Sequence, residues 1–371
     1  MRKYLLLFLF IVPVLCNAQQ SHSHGFGRKI IFPDIPGFYT LKCDFHQHTV
    51  FSDGSVWPDI RVEEALRDGL DAIALTDHVE YQPHKADIPH TDRNRSYQLA
   101  RHYAANSELI VVNGQEITRD MPPGHANAIF LQDANALVVK DSIEAFRAAA
   151  AQGAFIFWNH PNWTAQQPDG IATLTALHRQ LIAEGLLHGI EVVNDLTYSI
   201  EAVEIALKNN LTMMGTSDIH GLVDWQYKIP EGGHRPITLV FAKERTAESI
   251  KEALFSRRTV VYFNNLLIGR TEHLVPLIDA AIRVTDAEYR NGDVLALTVE
   301  NRSDVEFMLL NQSFYTFHSD GEVVKIPAHG RSTLEVKTVR RLEKGALPFL
   351  VLNAVTGARQ NPEIKLEFTI R

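Results

Sequence analysis

The chain has 371 residues, 45% of them hydrophobic, with 36 Lys and Arg against 44 Asp and Glu for a formal charge of −8. Its charge is spread rather than gathered in runs, and no basic stripe is present, which argues against a surface for duplex nucleic acid and fits a protein that concentrates cations. The 2 cysteines, Cys16 and Cys43, cannot supply a disulfide scaffold, so the fold depends on its apolar core.

Residues 1–19 read as a secretory signal. Arg2 and Lys3 form a basic start, Leu5 to Leu15 an apolar centre, and Cys16-Asn17-Ala18 a small-residue approach to cleavage. That apolar stretch is too short to cross a bilayer of about 30 Å, which takes about 20 residues, and no later stretch comes closer. An exported, periplasmic or extracellular protein is therefore expected, without a membrane span. Lipidation at Cys16 is disfavoured by the bulky Leu15 before it. Residues 20–39 form a lead-in in which His22 and His24 read as non-ligating.

From residue 40 to about 275, short apolar runs alternate with helix-like segments. Strands are expected at Thr40–Phe45, Ala72–Leu75, Leu109–Val112, Ala126–Leu131, Ala154–Trp158, Ile190–Val193 and Thr212–Gly215. Helices are expected at Pro58–Arg67, Arg93–Asn106, Ser142–Ala151, Ala172–Glu184 and Ala247–Arg257, with Pro58 in a first turn and Gly69 as a C-terminal cap. Such alternation implies an α/β fold with a parallel sheet, and seven strands fit a closed barrel better than an open sheet. Beyond residue 283 the period becomes two, as in Ile364, Leu366, Phe368 and Ile370. Similar strands are readable at Val294–Val299, Val305–Leu310, Thr333–Val336 and Pro348–Leu352. A small all-β, sandwich-like domain is expected over 283–371.

In a parallel barrel the residues past each strand's C-terminal end face one mouth. The first strand delivers His46 and His48, and the SDG turn adds Asp53. LTDH adds His78, NGQEIT adds Glu116, GHANAIF adds His125, FWNHP adds His160 and GTSDIHG adds Asp218 and His220. Each motif alone has an ordinary turn or surface reading, but the recurrence at strand after strand argues for a metal site. Alternate strand residues point the same way, so His46 with His48, and Asp218 with His220, can reach one ion. Imidazole plus carboxylate without thiolate suits zinc, manganese or iron. These candidate ligands exceed what one ion can use, pointing to two or three divalent cations with Glu116 as bridge. Arg119 is weighed as a contact for an anionic substrate against a surface salt bridge. His84, His90 and His234 lie in loops able to overhang the mouth, and His178 and His188 flank a helix and read as surface.

HQHTVFSDG, ALTDH, GQEIT with GHANAIF, FWNHP and GTSDIHG, in this order over Leu41 to Arg258, resemble the PHP (polymerase and histidinol phosphatase) superfamily. The resemblance implies a distorted seven-stranded α/β barrel with His46, His48, Glu116 and Asp218 around one ion. It places Glu116, His125 and His160 at a second and Asp53, His78 and His220 at a third. It further implies phosphoester hydrolysis by in-line attack of a metal-held hydroxide. Export sets this chain apart from cytoplasmic biosynthetic or polymerase-linked members and favours a small phosphorylated substrate, a diester ahead of a monoester. Two alternatives remain: an amidohydrolase-like hydrolase of a carboxylic or lactone substrate, and a non-catalytic exported protein binding metal or carbohydrate. The first commonly bridges its metals with a lysine on the fourth strand, and none occurs within His125 to Leu131.

Overall fold

The computed structural model describes residues 29–370 apart from residue 291. The signal segment, His22 and His24 lie outside the described residues. No helix among them is long and apolar enough to cross a membrane.

The first unit is a curled sheet built from β1 (Tyr39–Asp44), β2 (Ala72–Leu75), β3 (Ile110–Ile117), β4 (Ala126–Ile129), β5 (Phe155–Trp158), β6 (Gly189–Asn194), β7 (Thr197–Tyr198), β8 (Thr212–Thr216), β9 (Ile237–Ala242), β10 (Thr259–Phe263) and β11 (Leu266–Gly269). Its helices are α1 (Pro58–Asp68), α2 (Arg95–Tyr103), α3 (Ser142–Ala151), α4 (Ala176–Ala183), α5 (Ile200–Lys208), α6 (Val223–Gln226), α7 (Ala247–Phe255) and α8 (Thr271–Ala281). The seven expected strands are all present, while β9 to β11 form an antiparallel extension beyond them. Their continuous apolar runs carry no period from which a strand could be read.

The sheet is not wholly parallel. β4 runs antiparallel to β3, because the segment between Ile117 and Ala126 is shorter than the dozen or so residues that a parallel crossover needs, and β5 is antiparallel to β4 in turn. Nor is the ring closed by a ladder. β8 comes back against β9 and β10, where the Thr238 hydroxyl bonds both the N–H and the C=O of Gly215 at 2.9 Å and the Thr259 hydroxyl donates to the Met213 carbonyl. A side chain at residue 215 would sit 2.2 Å from Val261 Cγ1, so glycine is what allows this approach. The result is a distorted barrel closed by side chains. Leu41, Cys43, Phe45, Phe155, Phe157 and Met214 fill one buried cluster together with Ile250, Ala253 and Leu254 of α7.

The C-terminal unit is a sandwich. Its other strands are β12 (Ile282–Arg290), β13 (Val294–Asn301), β14 (Phe307–Asn311), β15 (Thr316–Phe317), β16 (Val323–Ile326), β17 (Arg331–Lys337), β18 (Lys344–Val351), β19 (Ala354–Val355) and β20 (Glu363–Thr369). One sheet has the order β12-β13-β17-β15 and the other β16-β14-β18-β20, while β19 pairs with β11 of the barrel. An apolar cluster runs without a break from Val62 and Leu239 of the barrel through Leu277 of α8 to Leu297 and Phe349 of the sandwich. The two units therefore share a core, and α8 is the element lying between them.

Candidate metal centre

The chain following β1 turns back so that the His48 N–H donates to the Ile219 carbonyl and the Asp218 N–H to the His46 carbonyl. These bonds tie the first ligand loop to the last. The Ser52-Asp53-Gly54 turn packs onto the same backbone: a Cβ at residue 54 would stand 2.6 Å from the His48 carbonyl carbon. Glycine there lets Asp53 face the cluster.

Three groups of donor atoms result. In the first, Asp218 Oδ1 lies 3.0 Å from both His46 Nε2 and His48 Nε2, with Glu116 Oε2 at 3.6 and 3.4 Å from the same nitrogens. Around the other oxygen, Glu116 Oε1, stand His125 Nδ1 at 3.0 Å and His160 Nε2 at 3.4 Å, while His78 Nδ1 faces Oε2 at 2.9 Å. In the third, Asp53 meets His220 Nε2 at 3.3 Å, His78 Nε2 at 3.4 Å and His48 Nδ1 at 3.5 Å. All nine expected ligands are brought together. The grouping is more interlocked than the expected triads, since His48 and His78 each present both ring nitrogens to different groups.

The donor set fits divalent cations. Glu116 Oε2 is buried yet makes no hydrogen bond, and the same holds for His160 Nδ1. The Nε2 atoms of His46 and His48 stand 3.1 Å apart, two lone-pair atoms converging on one point. A cation would satisfy Glu116 Oε2 and the two facing imidazole nitrogens, while His160 offers its other nitrogen, Nε2, to Glu116 Oε1. His160 and Asp218 also hold left-handed backbone at φ 28 and 50, a cost that non-glycine residues bear where the surroundings over-determine the geometry.

Without a cation, protons balance the charge. Burial opposes protonation of His46, yet Asp218, Glu191 and Glu116 raise its pKa well above the usual histidine range. Burial likewise opposes protonation of His78, but Glu116 and Asp53 raise it to about 10. Burial would push Asp218 and Glu116 up, and the surrounding imidazoles hold both below the usual carboxylate range. His48 goes the other way, lowered to about 4 by burial and by its neighbours His220 and His78. Cation binding must displace such protons, so it strengthens as pH rises.

Glu191, Asn159 and Asn194 were not read as functional from the sequence, and Glu191 makes the most bonds to the site. Glu191 in β6 is 1% exposed; its Oε1 accepts from His46 Nδ1 at 2.8 Å and from the Thr216 hydroxyl at 2.5 Å. Its Oε2 accepts from the His160 N–H at 2.6 Å and from Asn194 Nδ2 at 2.8 Å. Glu191 thus leaves His46 Nε2 free to face the donor group and ties the His46 and His160 segments together. The signal was a lone carboxylate in the run Ile190-Glu191-Val192-Val193, a charged side chain among core positions.

Arg119 and His234 are placed otherwise. The Arg119 guanidinium pairs with Glu80 and donates to the Val139 carbonyl at 2.8 Å. His234 stacks on Tyr262 at 4.1 Å, and its Nε2 accepts from the Asn264 N–H. Neither lines the cavity over the metal groups. His178 is not at the surface as read, but 1% exposed, stacked on Trp158 at 3.9 Å and bonded to the Pro123 carbonyl at 2.7 Å.

That cavity, of about 540 Å³, has Asp53, His78, Glu116, His125, His160, Asp218 and His220 at its base. Its walls come from Asn162, Trp163, Thr164, Gly170, Asn194, Asp195, Thr197 and Gln226, with no Lys or Arg among the described residues and none from the sandwich.

A distorted α/β barrel with imidazole and carboxylate at its strand ends defines a metal-dependent hydrolase of the PHP type. The chain is similar, at 43% identity and with a TM-score of 0.86, to a two-domain protein of Bacteroides vulgatus ATCC 8482 containing a predicted PHP-like metal-dependent phosphoesterase; the match covers 92% of this chain and 98% of that one. The chain belongs to the PHP superfamily. Residues 282–367 match the family model of an Ig-like domain, DUF5001. Over 83 residues the chain is also 36% identical to an uncharacterized protein of Methanocaldococcus jannaschii, spanning 36% of that relative's length.

Proposed function

We propose that this chain is an exported phosphodiesterase acting on a small substrate with two or three divalent cations, manganese, zinc or iron. The observation that carries the reading is Glu116, whose two carboxylate oxygens face different sets of imidazoles across a cavity with no lysine or arginine in its wall. When bound, such cations supply water acidified toward neutrality and counter-charge for phosphoryl oxygens.

The chain's own residues position that chemistry. Asn159 Nδ2 holds Glu116 Oε1 at 2.8 Å, and Asn194 Nδ2 holds Asp218 Oδ2 at 3.2 Å while also bonding Glu191. Trp163, 45% exposed, stands with its ring 5.1 Å from His160 and 5.6 Å from His125, offering a flat apolar face beside the donors. A wall of Asn, Thr, Gln and Trp side chains with a single carboxylate, Asp195, suits the uncharged second substituent of a diester better than the extra negative charge of a monoester. The reading is tested by comparing manganese- and zinc-loaded protein on a phosphodiester, a phosphomonoester and a lactone. Diester turnover is expected to dominate, and a preference for the lactone would sink it. Export is checked by fractionating cells that express the full chain, with the cytoplasm as the contrary result.

A further inference from the structure

The barrel anchors one end of the sandwich and leaves the other free. Ile31, Tyr262 and Asn265 bond the segment Asp304–Glu306, and Asn353 bonds Asn265. β13, β14 and β18 all run between this anchored end and a distal one, and an eight-residue strand such as β13 spans about 25 Å. At the distal end, Thr316 pairs with Lys337; Phe314 lies in the turn just before β15, where the Asn311 side chain bonds the Ser313 N–H and the Tyr315 carbonyl, and Val339 lies in the loop just after β17. These are the most exposed large apolar side chains among the described residues, Phe314 fully so and Val339 at 92%.

The loop between β17 and β18 at this end is cationic in an otherwise acidic protein. Arg340 and Arg341 follow Val339 directly, and Lys337 and Lys344 close the two strands that flank the loop. Arg341 is fastened by two bonds to the Gly292 carbonyl and lies over the Tyr289 ring, while Arg340, Lys337 and Lys344 form no ion pair among the described residues. The acids at this end are Asp293, 3.9 Å from Arg341, together with Glu343 and with Glu322 and Glu335, whose backbone carbonyls accept from Asn311 and His318; Arg290 is paired with Glu288. Two protruding side chains cover far less than the roughly 800 Å² per partner of a stable protein interface. An apolar tip collared by arginine and lysine has instead the make-up of an element that sits at the headgroup boundary of an anionic bilayer.

We infer that the distal loops of the sandwich dock the enzyme on anionic phospholipid, with Phe314 and Val339 inserted and Arg340, Lys337 and Lys344 against the headgroups. The test uses the full mature chain and vesicles of phosphatidylcholine alone or with 30% phosphatidylglycerol, chosen as probes. Sedimentation is expected to carry the protein with the anionic vesicles only, and the bound fraction to fall as salt is raised. F314S/V339S and R340E/K344E should each lower binding at least tenfold while hydrolysis of a small soluble diester and the melting temperature stay unchanged. No binding to anionic vesicles, equal binding by F314S/V339S, or a dimer that this double variant dissociates would each overturn the inference.

Discussion

Carboxylates and cationic partners meet at about the same distances at the barrel mouth and on the sandwich, yet the two places behave differently. On the sandwich, Glu300 of β13 takes Arg283 and Arg331 at 2.7 Å each, and both arginines are more than half exposed, at 55% and 65%. Every partner there is satisfied and wet. At the mouth, Glu116 is 1% exposed, has a buried oxygen with no hydrogen bond, and faces imidazoles from several separate strands. Proximity of opposite charges therefore does not mark a functional site. Desolvation together with incomplete pairing does where several imidazoles and carboxylates converge on one cavity, because Asp68 Oδ1 and Arg235 Nη2 are also buried without a hydrogen bond but lie outside it.

The largest test of this contrast is Asp218→Asn. The variant keeps its volume and removes the anion shared by His46 and His48. Hydrolysis should fall by more than about 100-fold, beyond the range for losing an outer partner of a metal ligand. Elemental analysis after purification should show a lower cation content. Full activity with full metal content would break the comparison, since the mouth would then tolerate the loss of a charge as the sandwich does.

A smaller effect is expected from Glu191→Gln, which leaves the nine ligands in place and alters only what holds His46 and the His160 backbone. Cation affinity should drop by about 10- to 100-fold, measured by competition with a chromophoric chelator. Titration indistinguishable from that of the parent protein would reduce Glu191 to a core hydrogen-bonding residue.

The two regions also differ in how far they could be read in advance. The ligands were legible because His46-x-His48 and Asp218-x-His220 each close an apolar run; the strand period expected to bring Asp218 and His220 to one ion does not apply, since both pairs lie past the ends of β1 and β8 and His220 turns to Asp53 instead. The grouping was not legible: that His78 turns one nitrogen to Glu116 and the other to Asp53 depends on ring orientation, which spacing does not encode. In the sandwich, β13, β17 and β20 were readable from alternation. β12 was missed because its register slips between Val284 and Asp286, and that bulge moves the apolar residues out of phase. Arg119 and His234 failed to reach the cavity for a related reason, since nothing in the local sequence announces a partner such as Glu80 or Tyr262.

Between the two extremes lies His178, buried like the mouth but hydrogen-bonded like the sandwich. Burial against Trp158 lowers its pKa to about 4, with the Pro123 carbonyl opposing the shift. The unfolded chain takes up the proton near 6.5, so the native state binds fewer protons over the interval. Its stabilising contribution is intact above about pH 6.5 and drains as pH falls toward 4, by an amount on the order of 3 kcal/mol. His178→Gln preserves the Thr175 capping box, which accepts glutamine at that position. Denaturant midpoints should therefore converge for parent and variant as pH falls from 7 to 4.5. Parallel curves would mean that His178 titrates normally and that burial alone does not set its charge.

The smallest expected effect sharpens the sandwich side. In Arg283→Ala, Glu300 loses one guanidinium but keeps Arg331 at 2.7 Å, and water replaces the rest. Exposed pairs of this kind give back in desolvation and side-chain ordering most of what they gain in attraction. The melting temperature should stay within measurement error of the parent, and raising the salt concentration should leave that agreement intact. A clear drop in stability would show that the Glu300 pair is held more rigidly than its exposure implies. Incomplete solvation would then cease to separate the mouth from the sandwich, and the distinction would have to rest on the unsatisfied oxygen of Glu116 alone.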